Sequence, residues 1–425
     1  MIWTDIDNKL TNAAFFAGPG YHDLFTHLRA AEPVRWTDSA NYGRPFWSVT
    51  KYADCLRLLE EPELFSNQLG PHLPPSGREL TAEERYAMGF DVQLVAQDPP
   101  IHMQKRRPFN KYFSVPWVSK WDQQCEEIVD DILANIAEKG EAELVEDIAA
   151  QLPVNLFLSL MGIPKSDWRH LRDITVTMLH AQDPEHNAGK DASAVEVSAF
   201  AQLYDYLAAH TSSRRGKKTE DFASLIANIE VDGKLLDPRD AAWMSFSVVA
   251  GGLETTRNAV AIGMMELMAR PEQSRLIPGN AAVAKSATEE IIRWVTPSKN
   301  RLRMAMADCQ IGDKSIKKGD WVVGWVVSAN RDEDVFPDGQ VFDIHRTPNR
   351  HLGFGDGEHL CLGRNVARLE IQILLDRIFG AFPDIHAAGE AEWVASTNTA
   401  GLKRLPVRFT PRNPAEVRTT SKAAA

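Results

Sequence analysis

The chain has 425 residues, 44% hydrophobic and 25% charged, which is ordinary globular composition with ample material for a core. A formal charge of −11 argues against nucleic acid as the main partner, because phosphate binding needs a basic face. The four cysteines, Cys55, Cys125, Cys309 and Cys361, are widely spaced with no CxxC pair, so neither a disulfide framework nor a zinc site is indicated. The first residues, MIWTDIDNKL, lack the basic and apolar regions of a signal peptide. No stretch approaches the ~18 consecutive apolar residues of a membrane span. The expectation is a cytoplasmic protein free of the membrane.

Val34 to Trp36 and Phe46 to Val49 read as a strand pair around the turn-rich SANYGR, followed by a short helix over about Tyr52 to Leu59. Residues 70–97 show little sustained periodicity. A connection of that length inside a compact protein is usually functional or mobile, so it is expected to form a lid over a pocket. Asp98-Pro99-Pro100 suits a helix start. Helical patterns then run through about 117–138, 146–161, 167–180, 192–210 and 219–229. A long helix from about Pro238 to Ala269 follows, then one from about 281 to 295. Residues 301–327 alternate or run apolar between Gly-Asp turns and predict a small antiparallel sheet. An irregular stretch, 328–357, leads into a helix from about Leu362 to Phe379. The expected fold class is mainly α with a small antiparallel β portion. It forms one domain over residues 1–410, with a flexible C-terminal tail at 411–425.

The chemistry concentrates around Cys361. The stretch Phe354-Gly355-Asp356-Gly357-Glu358-His359-Leu360-Cys361-Leu362-Gly363 sets two glycines before the cysteine and one after. They allow a tight bulge whose N–H groups can point at the sulfur. A helix is expected to begin here, and the positive end of its dipole favours a thiolate. Such a sulfur suits axial ligation of a haem iron, where thiolate donation favours O–O cleavage. The bland alternative is a buried, inert cysteine in a glycine-rich turn.

Two further segments invite a role. Glu290 and Arg293 are neighbours on one helix face, where a pair of this kind is usually a solvated surface pair of little energetic value. The long helix carries Ala250-Gly251-Gly252-Leu253-Glu254-Thr255-Thr256. Two glycines inside a helix cost roughly 1 kcal/mol each relative to alanine, so they need a reason. Close helix packing is one, and a widened groove beside a cofactor is the other.

Taken in order, these segments resemble the cytochrome P450 superfamily. The cysteine stretch is similar to FGxGxHxCxG at every fixed position, with Ala367 and Glu370 fitting the usual continuation. Glu290 and Arg293 have the ExxR spacing, Arg346 stands where the family places a third, linking member, and the stretch Ala250 to Thr256 is similar to the family's AGxxT segment. The likeness runs from about residue 98 to 409 and is looser over the first 97. It implies a single, mainly helical domain binding haem b, with Cys361 as metal ligand and Phe354, Gly355, Ala250 and Gly251 against the cofactor. His102, Arg106, Arg303 and His359 would meet the propionates, although Lys105 stands where an apolar residue is usual before the helix arginine. Glu254 and Thr255 would be catalytic, handling protons and dioxygen, with Glu in place of the commoner Asp. Glu290, Arg293 and Arg346 would be structural.

The implied reaction is monooxygenation, with one atom of O2 inserted into an apolar, mid-sized substrate, a terpenoid or steroid-like one favoured. Electrons would come from an external ferredoxin and ferredoxin reductase, since no flavin or iron–sulfur motif is visible. Phe90, Val92, Leu94 and Val95, then Ser247, Val248 and Ala250, and finally Thr397 to Ala400 with Thr399 among them, would wall the substrate pocket. Arg301 or Lys299, if either reached the cavity, would favour an acid instead. Lys105, Arg107, Lys111 and Arg364 form a candidate basic patch for an acidic ferredoxin, with ordinary solvated surface as the alternative. A peroxygenase or rearrangement enzyme is the second reading, disfavoured by the intact Glu254-Thr255 pair. A haem-based sensor or binding protein is the third.

Overall fold

A computed structural model of the chain describes residues 5–75, 77–217, 219–231 and 233–420. Its centre is the helix Pro238–Met268, entered through Asp237, whose side chain accepts from the Arg239 N–H, with Pro238 at the first helical position. This helix buries residues around most of its circumference, including Trp243, Phe246, Leu253, Val260 and Met264, as expected of a helix apolar on all sides. Among the helices that pack on it are Gln151–Leu160, Ala192–Ser213, Ala281–Val295 and Arg364–Ala381.

The β portion is mainly antiparallel. A five-stranded sheet is ordered Val34–Thr37, Phe46–Val49, Trp321–Gly324, Arg301–Ala305, Phe65–Ser66. Val34 pairs with Val49 and Leu302 with Val323 in antiparallel register, whereas Trp47 and Val322 belong to one parallel pair. Sequence alternation fixes which face a side chain takes but not the direction of its neighbour. The sheet and the N-terminal helix Tyr21–Ala31 share a second apolar cluster, in which Phe16 and Trp325 stack with ring centroids 5.5 Å apart.

Three segments depart from expectation. The helix Tyr21–Ala31 buries Leu24, Phe25 and Leu28, a helical spacing legible in the sequence but overlooked beside the nearby strand pair. Residues 70–97 contain two short helical pieces, Ala82–Ala87 and Leu94–Ala96, the first closed by a capping box between Thr81 and Glu84. At the C-terminus, Pro414–Thr420 is helical and Val417 joins the main core, so only the end of the presumed tail, 421–425, lies outside the described residues. Among the described residues no single helix is long and apolar enough to cross a membrane.

Candidate active site

The cysteine loop is closed by the Cys361 N–H donating to Phe354 O at 2.9 Å and the Gly355 N–H to Leu352 O at 2.8 Å. Gly357 turns at φ +62°, and a Cβ there would meet Leu59 O at 2.4 Å, so the loop is pressed against the helix Tyr52–Glu60. The helix Arg364–Ala381 starts three residues after Cys361. Burial pushes the Cys361 thiol up, opposed by the Gly363 N–H and by Arg106, Arg301 and Arg364. Arg364 donates to Cys361 O at 3.0 Å.

Cys361 opens into a cavity of about 370 Å3 that reaches the long helix at Gly251 and Thr255. The two glycines of that helix turn out to serve different ends. A Cβ on Gly251 would meet nothing within 4 Å, whereas one on Gly252 would stand 2.7 Å from the Phe157 ring. Gly252 therefore answers to packing and Gly251 to the open groove. Thr255 Oγ1 donates to Gly251 O at 2.8 Å, at the cavity wall. Glu254 points elsewhere. It is buried, accepts from Arg257 Nη1 at 2.6 Å, and does not line the cavity; Arg257 is held in turn by Leu402 O at 3.1 Å.

One wall gathers His102, Arg106, Arg303 and His359. The His102 and His359 rings stack 4.0 Å apart, and among the described residues His102 Nδ1 and His359 Nε2 are buried without a partner. Burial, helped by Arg106, lowers His102 to about 4. Burial, with His102, Arg303 and Arg106 alongside, pushes His359 lower still. Arg303 is brought to about 9 by burial and, among the described residues, is held only by the carbonyls of Leu58 and Leu302. Arg106 donates to the carbonyls of Glu358 and Leu360 in the cysteine loop. None of these arginines has a carboxylate partner among the described residues. Buried cations and orphaned ring nitrogens around one space, with a cysteine sulfur opening into the same cavity, fit a cofactor that carries two carboxylates and takes a thiolate ligand.

Behind the cysteine loop, Arg293 Nη2 and Glu290 Oε1 meet at 2.7 Å with both side chains fully buried. Arg346 Nε lies 3.3 Å from Glu290 Oε2. Arg293 also donates to Asn330 O and Gly339 O, and Arg346 to Pro337 O, which ties the irregular 328–357 segment to the core.

Of the residues expected around a substrate, Leu94, Val95, Ser247 and Val248 line the cavity together with Phe354. Phe90, Ala250 and Thr399 do not. Phe90 is buried against Met88 and Ala96, Ala250 packs into the main core, and Thr399 Oγ1 is spent on Ser396. Gly355 shapes its loop at φ +73° without facing the cavity. Lys299 is buried away from it, donating to Ser396 O at 2.8 Å, whereas Arg301 is part of its lining. Of the two basic residues named from the sequence as able to favour an acid, it is Arg301 that reaches the cavity, sharing one face of a strand with Arg303. His72, also in the lining, carries no sequence signal.

The comparisons with known proteins agree with this geometry. A sequence model of the family described as Cytochrome P450 matches residues 282–394. The chain is 32% identical to Cytochrome P450 NovI of Streptomyces niveus, over 91% of this chain and 93% of that one. It is 30% identical to linalool 8-monooxygenase of Pseudomonas putida, over 92% and 96%. A Mycobacterium marinum cytochrome P450 solved in complex with pseudoionone superposes with a TM-score of 0.85 at 28% identity, covering 96% of this chain and 99% of that one. The chain therefore belongs to the cytochrome P450 family, the haem-thiolate monooxygenases that bind haem b through a cysteine.

Proposed function

We propose that this monooxygenase hydroxylates an apolar, mid-sized substrate of terpenoid or steroid-like character, using electrons from an external ferredoxin and its reductase. The reaction consumes O2, two electrons and two protons, places one oxygen atom in a substrate C–H bond and releases the other as water. Cys361 would hold the haem, with His102, Arg106, Arg303 and His359 toward its propionates, and the bound group would supply dioxygen binding and O–O cleavage.

The residues of the chain do the rest. Gly251 leaves the groove open beside Thr255, whose Oγ1 holds a proton at the cavity wall. The Glu254 carboxylate stands one residue away and, on leaving its Arg257 partner, takes a proton from solvent water and passes it toward Thr255. Leu94, Val95, Val248 and Pro297 exclude water and offer apolar contact, at about 25 cal/mol per Å² buried. The observation that carries the reading is the convergence of Cys361, Gly251 and Thr255 on one cavity with an apolar wall. Linalool and pseudoionone, the molecules named with two of the relatives, are both apolar terpenoids. The test is a spin-state titration of the haem-loaded protein with terpenoids, steroids and small aromatics, followed by turnover with a surrogate ferredoxin system. High-spin shifts confined to aromatic acids would overturn the substrate class.

For the ferredoxin, the patch narrows. Lys105 is neutralised by Asp240 at 2.8 Å, while Arg107 and Lys111 are exposed and Arg364 is half-buried beside Cys361. Arg107, Lys111 and Arg364 are the cations left to receive an acidic partner.

A further inference from the structure

Arg301 and Arg303 occupy the same face of the strand Arg301–Ala305, roughly 6.6 Å apart along it, and both line the cavity. Their charges have different uses. A ferric iron is balanced by the dianionic porphyrin ring and one thiolate, which leaves the two propionates as the negative charge to be met. Arg106 and Arg303 match those two charges, and the buried, unpartnered ring nitrogens of His102 and His359 add hydrogen bonds. Arg301 is then a surplus cation, sunk in a cavity wall with no carboxylate partner among the described residues, a costly arrangement unless something anionic completes it.

Its side chain is held for such a guest. Arg301 Nη1 donates to Ser298 Oγ and, at 2.8 Å, to Asn300 O. Ser298 Oγ lies 3.2 Å from His72 Nε2, and His72 Nδ1 lies 3.1 Å from Asn300 O, so one small network fixes the guanidinium from behind. Among the described residues, Nε and Nη2 of Arg301 have no hydrogen-bond partner. Two free donors on a planar group match the two oxygens of a carboxylate. The rest of this part of the cavity, including Leu94, Val95, Val248 and Pro297, is apolar.

We propose that Arg301 is a specificity-determining residue that anchors the carboxylate of an otherwise apolar substrate, oriented by Ser298 and His72. This rests on the reading of the cavity as that of a haem monooxygenase acting on an apolar molecule, and narrows the substrate to an apolar carboxylic acid. The acid end is fixed at Arg301, and the apolar body extends along the wall toward Thr255.

The haem-loaded protein is titrated with three matched pairs: citronellic acid and citronellol, dodecanoic acid and 1-dodecanol, lithocholic acid and its C24 alcohol. The shift from low to high spin reads binding. In at least one pair the acid binds about tenfold or more tighter than the alcohol, as expected for a desolvated charge-assisted pair. Arg301→Gln abolishes that preference while haem content and the reduced carbon monoxide spectrum stay as in the parent, and Arg301→Lys retains part of it. Alcohols binding as tightly as acids in all three pairs would overturn the proposal, as would an acid preference that survives Arg301→Gln. Loss of haem from Arg301→Gln would also overturn it, making Arg301 a propionate partner. A parent protein without the red-shifted carbon monoxide band would instead sink the monooxygenase reading, before any ligand is added.

Discussion

The ring of Phe157 stands where a side chain on residue 252 would have to go, 2.7 Å from the Cβ position, while the neighbouring Gly251 faces open space. The two glycines should therefore respond in opposite ways. Gly251→Ala is expected to fold and hold haem, gaining up to about 1 kcal/mol of helix stability while crowding the groove beside Thr255. Gly252→Ala should lose about 1–3 kcal/mol through overpacking. Thermal unfolding of the two variants side by side checks this, and equal midpoints would remove the distinction.

Cys361→Ser is expected to abolish the strongly red-shifted Soret band of the reduced carbon monoxide complex, because only a thiolate donates enough charge to the iron to produce it. Survival of the band in this variant would mean that another group ligates the iron.

Thr255 and Glu254 are expected to separate by their surroundings. Thr255→Ala removes a hydroxyl at the cavity wall, so the protein should still bind haem and substrate but divert reducing equivalents into peroxide. Glu254→Gln removes the buried partner of Arg257 and should both slow turnover and cost about 3–5 kcal/mol of stability. Peroxide yield per electron and chemical unfolding measure the two effects. Coupling unchanged in Thr255→Ala is incompatible with its proposed role.

Arg293→Ala leaves the Glu290 carboxylate fully buried beside a more distant Arg346 and releases the carbonyls of Asn330 and Gly339. The expected loss is about 3–5 kcal/mol, with haem retention falling because the 328–357 segment supports the cysteine loop. A melting midpoint within about 2 °C of the parent would contradict a structural role.

Reduction by an acidic ferredoxin should slow as salt rises through the low ionic-strength range. Arg107→Glu and Lys111→Glu should slow it further, whereas Lys105→Gln should matter less, since Asp240 already neutralises that charge. Stopped-flow reduction rates distinguish the three. A rate indifferent to salt, or most sensitive to Lys105, argues against the patch as drawn.

What the sequence settles by itself is local. The glycine spacing around Cys361, the helix that follows it, the Glu290–Arg293 pair and the long helix with its acid and threonine are short-range patterns whose geometry follows from backbone preference and helical period. The resemblance of the ordered motifs to a known family also sufficed to indicate that family and its cofactor. Tertiary structure decided what depends on which surfaces meet. Helical spacing could not show that Glu254 turns to Arg257 and away from the cavity, nor that Gly252 is claimed by Phe157, because both depend on elements distant in the chain. Phe90 and Ala250 sit close in sequence to cavity residues yet face the core, since neighbouring residues on a helix or turn point in different directions, and Thr399 turns to its own loop. Arg301 shows the same division. Its place beside Arg303 on a strand was legible, but the absence of an acid opposite it appeared only when the walls of the cavity came together.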